Sequence, residues 1–167
     1  MKIGGEAWTI FIGLFEGKPF EIFGGLSKYV SLSKKIVHGK LVRNPKKKGQ
    51  NRAIYDLYCG DSVEPTVIKD VVKTFENPTQ GEFTRIISLA LRHGSPVKYM
   101  VDQLQKDEES GLYSFSKVIA RVLKSYVKDG TKMTGKTCPS CGSNDLIFQE
   151  GCLICPSCGQ RIVTGKL

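Results

Sequence analysis

Two short cysteine repeats near the end of the chain are the residues best suited to chemistry. Residues 138–142 read Cys-Pro-Ser-Cys-Gly, and the same five residues recur at 155–159. A Cys-x-x-Cys pair places two sulfurs on one tight turn, where both can reach about 2.3 Å from a shared zinc ion. Two such pairs complete a tetrahedron. The spacing therefore predicts a zinc ribbon over residues 138–163, with four thiolate ligands: Cys138, Cys141, Cys155 and Cys158.

The metal is expected to supply most of the folding energy of this tail. A segment of about thirty residues cannot bury much apolar surface. Structural zinc contributes on the order of 10 kcal/mol. The alternative interpretation of the two repeats is a pair of redox-active dithiols that bind no metal.

Two further cysteines need separate interpretations. Cys152 stands in Cys-x-x-Cys spacing before Cys155, so it could replace a ligand, act as a redox thiol or remain free. Only Cys155 and Cys158 reproduce the first repeat, which favours them as the ligands. Cys59 ends a predicted strand and is expected to be a small core residue.

Two other patterns resemble functional sites but lack the context that such sites need. Residues 130–137 match the phosphate-binding pattern Gly-x-x-x-x-Gly-Lys-Thr. That loop must join a buried strand to a helix. Here it follows a predicted helix and runs into a cysteine turn, which indicates a linker. Neither His38 nor His93 has a Cys or Asp arranged for nucleophilic catalysis, so the sequence predicts no catalytic and no cofactor-binding residue in this chain.

The positive charge of the chain is concentrated in its first third. The net charge is +9, and residues 1–60 carry 11 basic against 4 acidic side chains. Lys46, Lys47 and Lys48 lie in a predicted loop, where they can contact an anion or an acidic partner; the other interpretation is a solvated loop tip. Such a bias attracts nucleic acid, nucleotides or acidic proteins without choosing among them.

The composition is that of a globular protein. Hydrophobic residues make up 40% and charged residues 25% of the sequence. No apolar run reaches the roughly eighteen residues that indicate a transmembrane helix, and the first residues lack the apolar core of a signal peptide. We therefore expect a cytoplasmic protein without a membrane partner, in which clustered cysteines bind metal more often than they form disulfides.

The rest of the chain divides into a strand-rich and a helix-rich half. Period-two patterns predict a hairpin from 8–15 and 20–23 and a second strand pair from 36–43 and 52–59. From residue 65 the apolar period becomes helical, and we predict three to four helices, with apolar stripes at 67–75, 83–91, 97–104 and 115–126. The β-branched residues of 67–75 leave a strand possible there.

Strands followed by helices indicate the α+β class, here an antiparallel sheet with the helices packed on it. We expect an α+β domain over residues 1–130, β-rich at 7–60 and helical at 65–130. A linker at 131–137 and the zinc ribbon at 138–163 follow. Thr79 and Glu82 have capping-box spacing and predict the start of the second helix.

Residues 81–94, Gly-Glu-Phe-Thr-Arg-Ile-Ile-Ser-Leu-Ala-Leu-Arg-His-Gly, resemble the signature of the TSCPD domain. That domain is found near the C-terminus of adenosylcobalamin-dependent (class II) ribonucleotide reductases. Residues 17–23 resemble the strand turn before the signature in those enzymes. Residues 114–124 and the cysteine tail, with 149–152, are similar as well.

The resemblance implies a role in converting ribonucleotides to deoxyribonucleotides for DNA replication. In the family the catalytic cysteines and the cobalamin site lie in an upstream barrel, which this sequence lacks. The implied function is that of a C-terminal accessory subunit of a ribonucleoside-diphosphate reductase, inactive alone. The implied partner is a large catalytic subunit that carries the adenosylcobalamin, whereas this chain binds structural zinc.

The tail departs from the family pattern. Family members often carry a further cysteine shortly after the last Cys-x-x-Cys, and thiols there are thought to re-reduce the active-site disulfide. Residues 159–167 contain no cysteine. With four thiolates on zinc only Cys152 is left, and one thiol cannot act as a dithiol reductant. We therefore expect docking or structural support.

Two rival interpretations stay open. The first is a zinc-ribbon nucleic-acid-binding protein that uses the basic first third, including Lys46 to Lys48; its affinity would fall steeply with salt. The second is a folded fragment that has no partner.

Overall fold

The computed structural model describes most of the chain. The described residues are 2–3, 6–30, 32–33, 35–46, 48–49, 51, 53–60, 65–75, 77–106 and 114–162. The backbone divides into two compact units, Met1–Gly94 and Ser95–Leu167. The sequence-based boundaries, the end of the α+β domain at residue 130 and the start of the zinc ribbon at residue 138, describe which parts of the chain fold independently. They stay predictions.

The first unit begins with a three-stranded antiparallel sheet. Its strands are β1 (Lys2–Ile3), β2 (Glu6–Phe15) and β3 (Lys18–Leu26), in the order β1-β2-β3. Glu16 and Gly17 form the β2–β3 turn, and both have positive φ angles, 50° and 75°. Two such residues match the twist of the flanking strands and favour a tight hairpin. The predicted hairpin is confirmed.

A second antiparallel sheet follows a short 3-10 turn at Ser27–Tyr29. It consists of β4 (Gly39–Asn44), β5 (Ile54–Cys59) and β6 (Thr66–Ile68), in the order β4-β5-β6, and the helix α1 (Val71–Thr74) comes next. The predicted second strand pair is confirmed. A shared core joins β3, β5 and α1 through Phe23, Leu57, Cys59 and Val71.

The stretch 67–75 contains both structures that its pattern allowed. Val67 and Ile68 belong to β6, where they pair with β5 as β-branched residues favour. The left-handed conformation of Asp70, with a φ angle of 46° and a ψ angle of 59°, then ends the extended backbone before α1. The expected single helix is therefore replaced by a strand and a one-turn helix.

Helix α2 (Pro78–Arg92) packs against β3 in the first unit. Its cap is Asn77, whose side chain accepts a hydrogen bond from the backbone N–H of Gln80 at 3.1 Å. The expected cap at Thr79 is wrong, because Pro78 already occupies the first helical position, which its fixed φ angle suits. The buried face of the helix consists of Thr84, Ile87, Ser88 and Leu91.

The second unit combines two helices with a small sheet. Helices α3 (Val97–Gln105) and α4 (Phe115–Lys124) pack against each other. The sheet contains β7 (Lys132–Met133), β8 (Leu146–Gln149), β9 (Cys152–Ile154) and β10 (Arg161–Ile162), in the antiparallel order β10-β9-β8-β7. Strand β7 lies within 131–137, the stretch expected to be a linker, and pairs with β8.

The β8–β9 turn of the small sheet lies against the end of α4, and its left-handed backbone favours glycine. Gly151, in the β8–β9 turn, has a φ angle of 70°, and a methyl group there would lie 3.4 Å from the Cα atom of Ser125. Near this contact, the N–H of Gly130 donates to the carbonyl oxygen of Phe148 at 2.8 Å. The sheet is thus attached to the segment that follows α4.

The predicted α+β class, with antiparallel strands and helices, is confirmed. The described strands before residue 70 form two sheets rather than the single sheet expected, since side-chain alternation identifies strands but not which strands are neighbours. Among the described residues, no helix has the length and apolar character needed to cross a bilayer.

Candidate metal centre

Two turns of the same design present the four cysteines of the repeats. In the first, Gly142 N–H donates to the carbonyl oxygen of Cys138 at 2.8 Å; in the second, Gly159 N–H donates to that of Cys155 at 2.8 Å. Both glycines have a positive φ angle, 72° and 73°. Glycine adopts that conformation at little cost, which explains why each Cys-Pro-Ser-Cys is followed by one.

The turns bring the four sulfur atoms into one cluster. The Sγ atoms of Cys138 and Cys158 are 3.6 Å apart, and so are those of Cys141 and Cys155. All four lie within 4.8 Å of one another. Sulfurs at about 2.3 Å from a tetrahedral zinc would be about 3.8 Å apart, whereas bonded sulfurs in a disulfide lie about 2.0 Å apart. The arrangement fits a set of ligands, so the four cysteines can hold a metal ion.

Hydrogen bonds change the acidity of these thiols. Burial acts to raise the pKa of Cys155, but hydrogen bonds from the backbone of Cys158 and from neighbouring thiols outweigh it and lower this pKa to about 6. The pKa of Cys138 is also lowered, because backbone N–H groups of its own turn outweigh the effect of burial. For Cys158 a backbone hydrogen bond from Gln160 is outweighed by burial and by the three other thiols, which raises the pKa to about 12. The thiols of the cluster that are still protonated therefore release their protons when the four cysteines bind a metal ion.

The two other cysteines lie outside the cluster. Cys152 is exposed at the start of β9, close enough to Lys124 to influence its pKa. Lys124 itself is 7% exposed, and burial lowers its pKa to about 8. Cys59 is buried in the first unit, where burial raises its pKa, so its expected place in the core is confirmed.

A comparison with known protein families decides the family of this chain. The model of the NrdJ homologue C-terminal domain matches residues 1–128. The chain belongs to this family. The match links it to NrdJ, the class II ribonucleotide reductase, and confirms the resemblance in that coarse form. No curated protein and no solved structure matches the chain.

The match to the NrdJ homologue C-terminal domain stops short of the cysteine turns. It ends at residue 128, whereas the first candidate ligand is Cys138. The metal centre therefore depends on the geometry of the four sulfurs and not on the family. The two sheets of the first unit and the four described helices lie within the matched range.

The remaining patterns singled out in the sequence do not form a site with the cysteines. Residues 130–137 contain β7, and no helix follows them among the described residues up to 162. His38 is exposed just before β4, and His93 is exposed at the end of α2. Lys46 and Lys48 are exposed in the β4–β5 loop, and Lys47 lies outside the described residues.

A buried ionic group inside the family match escaped sequence reasoning. Glu21 in β3 is 6% exposed, and its Oε1 lies 2.9 Å from Nη2 of Arg92 in α2. Tyr55 in β5 lies close enough to the same carboxylate to lower its pKa. The sequence did contain a signal for this group. Glu21 lies within the apolar run Phe20 to Phe23, and a carboxylate buried in such a strand needs a partner.

Proposed function

We propose that this NrdJ homologue C-terminal domain is an accessory component of a class II ribonucleoside-diphosphate reductase in the cytoplasm. The family match over residues 1–128 carries the proposal. In this role the chain docks on a catalytic subunit, which binds the adenosylcobalamin and converts ribonucleotide to deoxyribonucleotide. The chain itself supplies no catalytic residue.

The described cysteines support an accessory role. Ribonucleotide reduction consumes a dithiol, and thiol exchange requires an accessible thiolate. Cys59 is buried and its pKa is raised, so it is a poor thiolate. Cys152 is exposed but is a single thiol outside the cluster.

The proposal assigns one zinc ion to Cys138, Cys141, Cys155 and Cys158. The sulfur–sulfur distances suit a tetrahedral site. Four protein ligands fill the coordination sphere, which is typical of structural zinc. The ion would thus hold the turns of the ribbon in place, so that the second unit presents an ordered surface to the catalytic subunit.

A binding measurement tests the proposal. The tagged full chain is mixed with the class II catalytic subunit of the same organism, and the mixture is separated by size-exclusion chromatography. The proposal predicts a complex that elutes before either protein alone. Separate elution of the two proteins at concentrations of about 10 μM would contradict it, since a functional accessory subunit needs at least micromolar affinity.

A further inference from the structure

Strand β4 forms an open edge of the second sheet in the first unit. It pairs with β5 on one side from Gly39 to Asn44, and none of the described strands pairs with its other side. In an antiparallel pair every second residue directs its N–H and C=O groups away from the partner strand. Strand β4 therefore presents a row of backbone donors and acceptors to a segment that lies alongside it.

The other edges of this unit are covered or short. Helix α2 packs along the edge strand β3, where Ser88 bonds to both backbone groups of Ile22. The edge strands β1 and β6 are two and three residues long. Among the described elements, only β5 packs extensively against β4. With six residues, β4 is thus the longest described edge of the first unit that no helix covers.

Charge is the only feature of β4 that opposes pairing with another strand. Proteins protect open edges with prolines, bulges, covering elements or charged side chains. The strand contains no proline, and its register with β5 shows no shift. Its two charged residues, Lys40 and Arg43, are exposed. Because like charges repel between neighbouring strands, this protection acts against neutral or basic segments, whereas an acidic segment is attracted.

The exposed charge along β4 and its flanking loops is positive. Residues 22–55 contain nine basic side chains and no acidic one. Among the described residues, no ion pair involves Lys40 or Arg43. Two acids lie near the strand, Glu21 and Asp56, but they are 6% and 5% exposed and each has a basic partner. The field at the open edge therefore favours a negatively charged partner.

We propose that β4 binds an acidic, extended segment of a partner protein, which adds to the sheet as a further strand. Main-chain hydrogen bonds to the outward groups of β4 provide affinity, and carboxylates beside Lys40 and Arg43 provide selectivity. A neutral segment lacks the carboxylates, and a nucleic acid lacks the peptide groups. The site does not depend on the proposed reductase role, because described residues of this chain form all of it.

A short acidic peptide tests the proposal on the full chain. The peptide Thr-Glu-Val-Val-Glu-Thr carries its two carboxylates at the spacing of Lys40 and Arg43. The same peptide with every backbone nitrogen methylated keeps the charges but loses the hydrogen-bond donors. A single-stranded DNA oligonucleotide is the third probe. Binding and amide exchange are followed by NMR on the isotope-labelled chain.

Two charge reversals with the same change in net charge provide the matched variants. Lys40→Glu alters the open edge, whereas Lys18→Glu alters an exposed position at the start of β3. Because both side chains are exposed, both variants should fold. Lys40→Glu should weaken peptide binding about three- to thirtyfold, since an attractive cross-strand pair becomes a repulsive one. Lys18→Glu should leave the affinity nearly unchanged.

The unmethylated peptide should slow the exchange of those β4 amides that point away from β5. Strand addition pairs these amides, whereas attraction between charges alone leaves them exposed to water. Equal binding of the methylated peptide, or equal losses in the two variants, would show diffuse attraction between charges and overturn the proposal. Binding of the oligonucleotide alone, or no binding of the peptide at about 1 mM, would overturn it as well.

Discussion

The hydroxyl group of Ser88 in α2 bonds to both backbone groups of Ile22 in β3. Ile22 N–H donates to Oγ at 3.0 Å, and Oγ donates to the Ile22 carbonyl oxygen at 3.2 Å. In the described sheet β3 is an edge strand, so its outward N–H and C=O groups need partners when they are buried. Ser88 provides both partners and fixes the helix on the strand.

Replacing Ser88 by alanine should destabilise the first unit. The change leaves two buried backbone groups unpaired, which costs about 1 to 3 kcal/mol of unfolding free energy. Urea unfolding followed by the fluorescence of Trp8 measures it, because Trp8 is the single tryptophan and lies in β2. Ser95→Ala, at an exposed position, is the control. If both variants unfolded at the same urea concentration as the parent chain, the hydrogen bonds from Ser88 to Ile22 would contribute nothing to the free energy of unfolding.

The stability of the chain should depend on pH through Glu21. Desolvation raises the pKa of this carboxyl although Arg92 and Tyr55 oppose the shift. Because the pKa of the folded state is raised, the contribution of Glu21 to stability is complete below its ordinary pKa and is lost as pH rises through the raised value. Glu21→Gln removes this dependence. The parent chain should therefore lose stability relative to the variant as pH rises across that window.

Urea unfolding at several pH values between about pH 4 and pH 7 measures the difference. Glu82→Gln, which removes the same charge from an exposed position on α2, serves as the control and should follow the parent chain. Parallel pH profiles for the parent chain and Glu21→Gln would show that the Glu21 carboxyl titrates normally in the folded state.

The purified chain should contain one zinc ion and one fast-reacting thiol. In the proposed site zinc binds the four clustered sulfurs. Of the two remaining cysteines, Cys59 is buried and Cys152 is exposed. Elemental analysis and titration with a thiol reagent measure both quantities. Cys141→Ser should lose the zinc, and Cys152→Ser should keep it while losing the fast thiol. A parent chain that contains no zinc, or a Cys152→Ser variant that loses it, would contradict the assignment of the ligands.

Removing the metal should unfold the ribbon and leave the first unit folded. The core of the small sheet is limited to a few buried side chains, chiefly Leu146, Phe148 and Leu153, whereas structural zinc contributes on the order of 10 kcal/mol. Hydrogen exchange after chelation should show loss of protection in β8 and β9 with protection retained in β2 and β3. Unchanged protection of β8 in chelator would show that the sheet folds without metal.

Local patterns predicted most of the elements and the four clustered cysteines. The hairpin follows from alternation around a turn, and the cysteine turns follow from a five-residue unit that occurs twice. Tertiary neighbours were not predictable in this way. The pairing of Glu21 with Arg92, the role of Ser88 and the division of the strands into two sheets depend on which elements meet in space. The cap at Asn77 was missed, although it could have been predicted locally: the neighbouring Pro78 is typical of the first position of a helix.

The rate of ribonucleotide reduction tests the reductase assignment most directly. The class II catalytic subunit of the same organism is assayed for conversion of CDP to dCDP, with adenosylcobalamin and dithiothreitol supplied, in the presence and absence of this chain. The proposed role predicts that added chain raises the rate at least about tenfold, corresponding to about 1.4 kcal/mol of barrier, and that the effect saturates as the complex forms. An equal rate with and without the chain would contradict it.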